Sequence, residues 1–154
     1  MINMSELVRG GTVCLAKAGL ARGGTTSKAK ILVPDSSAGL TFAIKGKTYY
    51  VASADNLVVL TGAEQAALTT CLYLVCIDAS NTITVVKGTE VVTADLTAGK
   101  VVLTYPEATV NTCPIGAIKV VATSAFTPGT TALGTGNTDT YMDFFAVPDS
   151  PITS

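Results

Sequence analysis

Cys71-Leu72-Tyr73-Leu74-Val75-Cys76-Ile77 is an unbroken apolar run of seven residues, closed by the turn formers Asp78-Ala79-Ser80-Asn81. It is far shorter than the roughly 20 residues a membrane-spanning helix needs, and its length suits a strand buried on both faces. That places the run at the centre of a sheet. Neighbouring strand residues point to opposite faces, so the five-residue offset between Cys71 and Cys76 sends their sulfurs to opposite sides of the sheet.

Short β-prone runs flank this centre. Upstream, Leu40, Phe42 and Ile44 alternate with Thr41, Ala43 and Lys45, and Thr48-Tyr49-Tyr50-Val51-Ala52 follows. The two runs predict a hairpin around Gly46-Lys47 with a type II′ turn, and the adjacent Tyr49 and Tyr50 fall on opposite faces. Leu57-Val58-Val59-Leu60 is another strand. Residues 61–68 carry Thr61 as an N-cap and Glu64 three positions later, the spacing of a capping box, and predict a helix of about two turns. Downstream, Thr82-Ile83-Thr84-Val85-Val86, Val91-Val92-Thr93, Val101-Val102-Leu103-Thr104-Tyr105, the run 114–122 beginning at Pro114, and 140–147 all read as strands. The Gly- and Thr-rich stretch 128–137 reads as an exposed loop.

Many short strands between turns imply an all-β fold, an antiparallel sandwich or barrel-like domain with one short helix and an extended N-terminal arm. The arm, with short strands and loops, occupies residues 1–39, where Gly10-Gly11 and Gly23-Gly24 interrupt the apolar pieces. The β-rich domain covers 40–147, and 148–154 form a C-terminal tail. The chain's 24 threonines fit pleated, half-exposed surfaces.

The 154 residues include no His and no Trp, and 14% are charged. Without His, the Ser-His-Asp and Cys-His arrangements and the usual proton carrier near neutral pH are excluded within one chain. Asp35, Asp55, Glu64, Asp78, Glu90, Asp95, Glu107, Asp139 and Asp143 are dispersed singly. The spacing Cys71-x4-Cys76 does not suit a zinc knuckle, and Asn137-Thr138-Asp139 does not match an EF-hand loop. No phosphate-binding or dinucleotide glycine motif is present. The expectation is a protein that is not an enzyme, with no catalytic residues, no cofactor and no metal.

The first residues, Met1-Ile2-Asn3-Met4-Ser5-Glu6, lack the basic head and apolar stretch of an export signal, so folding in the cytosol and reduced, buried Cys14, Cys71, Cys76 and Cys113 are expected. The apolar surroundings of Cys71 and Cys76 predict raised thiol pKa values. Charge is split along the chain: residues 1–50 carry +5 and residues 51–154 carry −6. Arg9, Lys17, Arg22, Lys28 and Lys30 are candidate contacts to an acidic surface of a neighbouring subunit or another protein, and Tyr141, Phe144 and Phe145 are candidate anchors of an intersubunit contact. The basic residues are too thinly spread for a nucleic-acid platform, and no apolar run reaches membrane-spanning length, so neither nucleic acid nor membrane is expected as a partner.

The layout resembles the capsid decoration (cement) proteins and related small head proteins of tailed bacteriophages. The resemblance rests on the Gly-interrupted arm, the Lys45-Gly46-Lys47-Thr48-Tyr49 hairpin, Cys71-Leu72-Tyr73-Leu74-Val75 followed by Asp78-Ala79-Ser80-Asn81-Thr82, Pro114-Ile115-Gly116-Ala117-Ile118, and Phe126-Thr127-Pro128-Gly129-Thr130-Thr131. These features span roughly residues 40–145 and carry no functional residue across by position. The resemblance implies a structural virion protein on the capsid exterior, made in the host bacterial cytoplasm. It would bind the major capsid protein, often as a homotrimer, and stabilise contacts between capsid subunits. The alternative is a head-fibre or tail-associated adhesin that binds a host surface glycan through its Thr-rich loops.

Overall fold

The computed structural model describes residues 11–33 and 39–145. Along them run the strands β1 (Val13–Cys14), β2 (Leu20–Arg22), β3 (Lys28–Ile31), β4 (Gly39–Ile44), β5 (Lys47–Ala52), β6 (Ala54–Val59), β7 (Thr69–Asp78), β8 (Ile83–Lys87) and β9 (Val91–Val92). A single-turn helix α1 (Thr93–Thr97), β10 (Thr112–Ala122) and β11 (Asn137–Asp143) complete the order. All pairings are antiparallel. The strands make a five-stranded sheet in the order β11-β10-β7-β8, with β9 paired to the start of β7, and two three-stranded sheets, β1-β4-β5 and β2-β3-β6. The fold is all-β, a sandwich in which the two small sheets meet one face of the large one.

β7 lies at the centre, paired with β10 on one side and with β8 and β9 on the other. Its inner-face residues Cys71, Tyr73, Val75 and Ile77 join Ile115, Ile118 and Val120 of β10 and Leu20, Ile31, Leu40, Phe42 and Val58 of the small sheets in one core. Leu74 and Cys76 point the other way and pack with Ala117 on the outer face. The two sulfurs therefore sit on opposite faces, as the odd offset requires. Tyr49 stacks on Phe42 with ring centroids 5.7 Å apart, whereas Tyr50 is exposed on the opposite face.

Residues 13–33, assigned to the arm on sequence, hold three short strands. β1 pairs with β4 and β3 with β6, and Ala18, Leu20, Ala29, Ile31 and Val33 are buried in the main core.

Four local readings are corrected. The β4–β5 turn is Lys45-Gly46, with Ile44 opposite Lys47, and both turn residues have positive φ, 51° and 80°. That is a type I′ turn rather than II′, and its twist matches that of the flanking strands. Residues 61–68 are a loop instead of a helix: Gln65 leaves it to form an isolated bridge with Phe126, and Gly62 and Leu68 have φ of 133° and 60°. The short helix is α1, immediately after β9. Residues 101–105 form no strand; the chain from the end of α1 to β10 crosses the outer face of the large sheet as an irregular strap. Pro114 falls inside β10, at the register shift between Pro114 and Gly116, where a bulge spares the missing N–H.

Candidate interaction groove

The outer face of the large sheet is apolar along one cross-strand row, Val86–Leu74–Ala117–Met142. Such a row is tolerable only if something covers it. Tyr105 of the strap does so, its ring set edge-on to Phe144 at 5.5 Å and its hydroxyl 3.5 Å from Met142 Sδ. Pro106 lies against Gly88 so closely that a Cβ at Gly88 would come within 3.3 Å of Pro106 Cδ. The strap ends where the Thr112 hydroxyl donates to the Thr109 carbonyl at 2.6 Å.

Beside the strap a groove of about 740 Å³ remains open. Leu74, Pro114 and Phe144 line its sheet side and Tyr105 and Pro106 its strap side, while Thr12, Ile44, Lys45, Glu107 and Asn111 stand at the remaining wall and rim. The Lys45 ammonium donates to Asn111 Oδ1 at 2.6 Å and ties the β4–β5 turn to the strap. A second depression of about 410 Å³ shares Thr12, Pro114 and Phe144 and adds Val13 and Phe145. The strap also turns apolar side chains outward: Val102 is 78% exposed and Val110 82%.

The sequence candidates do not form one surface. Arg9 lies outside the described residues. Lys17 is exposed. Lys28 and Lys30 alternate with the buried Ala29 and Ile31 and so project together from the outer side of β3. Arg22 turns away from them and donates from Nη1 to the Leu133 carbonyl at 2.9 Å, fixing a loop. Tyr141 is half-buried against the main core, Phe144 lines the groove and Phe145 is 47% exposed beside it. The groove therefore takes one of the three aromatic candidates, Phe144, and the adjoining depression adds Phe145.

All four cysteines are free and buried. Burial pushes the Cys14 and Cys71 thiols up to about 11 and Cys113 to about 12, and raises Cys76 as well. At neutral pH they are packing groups, with almost no thiolate to act as nucleophile or metal ligand. Among the described residues no three His, Cys, Asp or Glu side chains are grouped to hold a metal ion. Asn137 instead organises its own loop, accepting from the Gly134 amide and donating to the Ala132 carbonyl, each at 2.9 Å.

The residue that sequence reasoning missed is Gln65. It is fully buried, donates from Nε2 to the carbonyls of Thr69 and Val120 at 3.1 Å each, and accepts from the Tyr73 hydroxyl at 3.0 Å. Its backbone exchanges two hydrogen bonds with Phe126 at 2.8 and 2.9 Å. The strap and groove were equally hidden, because Val101-Val102-Leu103 has the composition of a strand. Comparison with protein-family models, curated proteins and solved structures finds no match to this chain. No described helix is long and apolar enough to cross a membrane.

Proposed function

We propose that this protein is a structural component of a tailed-bacteriophage head, binding the outer surface of the capsid as a homotrimer and stabilising contacts between major capsid protein subunits. The observation that carries the reading is the outward exposure of apolar side chains on the strap, Val102 and Val110 above all, on an otherwise well-packed β-body. Apolar side chains left this exposed on one covering element are the groups a protein partner would bury. Lys28 and Lys30, projecting together from β3, supply a separate cationic contact for an acidic capsid surface.

Several copies held by symmetry on a shell convert modest single contacts into tight attachment, and the area they bury joins subunits that internal pressure would otherwise separate. No proton transfer, metal or cofactor enters this account.

Co-sedimentation of the purified protein with expanded shells lacking it tests the reading. Saturation at a fixed copy number per shell, with raised heat resistance of the shell, supports it. Failure to bind together with capture of a defined host saccharide contradicts it and favours an adhesin.

A further inference from the structure

The groove is also where the chain itself arrives. Thr12 forms part of its wall, the Thr12 hydroxyl accepts the Lys45 amide at 3.0 Å, and the Gly11 carbonyl accepts the Gly46 amide at 2.9 Å. Gly11 has φ of 88°, and a Cβ there would collide with the Gly46 backbone nitrogen, so the approach to the turn requires glycine. Whatever precedes Gly11 starts at the rim.

We propose that this groove is the docking site for the same chain's own segment Met4-Ser5-Glu6-Leu7-Val8. Its chemistry matches the lining. Met4, Leu7 and Val8 are apolar, as are Leu74, Tyr105, Pro106 and Phe144. The rim carries one cation, Lys45, and one anion, Glu107, while the segment and the next residue carry one anion, Glu6, and one cation, Arg9. Five extended residues span about 17 Å, and the groove's volume lies within the range of roughly 300–1,000 Å³ that encloses compact ligands. Because the segment is tethered at Gly11, its effective concentration reaches the millimolar range, and weak contacts are enough to seat it. Docking covers Phe144 and Tyr105 but leaves Val102 and Val110 facing outward, so the proposal stands independently of the capsid reading.

Hydrogen–deuterium exchange of the full chain tests it. The amides of residues 5–8 are expected to exchange at least about tenfold slower than an unstructured peptide, unchanged on about hundredfold dilution. Leu7→Asp and, from the groove side, Ala108→Arg, Ala108 being a further residue of the groove's lining, each abolish that protection while the amides of β7 and β10 keep theirs, which certifies the fold. Unprotected amides at 5–8 in the unaltered chain overturn the proposal. So does protection that disappears on dilution, which identifies a second copy's segment, or protection confined to residues 146–152, which identifies the other end of the chain as the occupant.

Discussion

Gln65 holds together parts of the chain that are far apart in sequence. Its amide satisfies two carbonyls and one hydroxyl inside the core, and burial pushes the Tyr73 phenol up, keeping that hydroxyl a donor. A buried polar group left without its partner costs about 1–3 kcal/mol. Gln65→Ala strands three such groups at once, and we expect a loss on the order of 3 kcal/mol. For a chain of this size that lowers the thermal midpoint by about 6–12 °C. Calorimetry checks it, and a change under about 2 °C would mean the network contributes little. Nothing local in the sequence announces this role. Thr61 and Glu64 have capping-box spacing, and the partners that override it, Phe126 and Val120, lie more than fifty residues away.

At the scale of elements, the strands that were legible are those whose apolar pattern is reinforced by burial. The run 71–77 reads as a central strand because both of its faces are covered, one by the small sheets and the other by the strap. The strap misleads for the same physical reason. A segment that covers an apolar sheet face needs apolar residues whether or not its backbone joins a ladder, so 101–105 resembles a strand in composition. The turn at Lys45-Gly46 was misplaced by one residue because Lys47 fits either turn or strand, and only its pairing with Ile44 decides.

β10 offers a sharp test at this scale. At Gly116 a Cβ would meet the Met142 carbonyl oxygen and approach Leu20 Cδ1 within 2.5 Å, because the bulge beside Pro114 presses β10 against both neighbours. Gly116→Ala is expected to destabilise by about 1–3 kcal/mol, as overpacking of a close-fitted site does. Urea denaturation reads this directly. Wild-type stability in the variant would show that β10 has slack at the bulge.

For the whole molecule, the buried thiols set a pH dependence with a definite sign. The folded-state values of Cys14, Cys71 and Cys113 lie above the usual 9.0, so the folded protein keeps protons that the unfolded chain releases. Their contribution to stability is complete below pH 9 and is lost as pH rises from there through about 11–12. Denaturation midpoints should fall between pH 9 and pH 11, and Cys113→Ala should make that fall shallower whatever its effect at neutral pH. An unaltered slope in the variant would show that Cys113 is not among the groups responsible.

In the proposed role, the strap is the surface that would meet a capsid. Val102 and Val110 are 78% and 82% exposed, so their replacement should leave the fold intact. The most direct measurement is co-sedimentation of wild type and of the double variant Val102→Asp/Val110→Asp with expanded capsid shells. Saturable wild-type binding that weakens by at least about tenfold in a folded double variant is the expected result, since two apolar contacts of roughly 1 kcal/mol or more are removed and charges put in their place. Equal binding of both proteins would contradict the strap's role, and no binding by either would contradict the capsid reading itself.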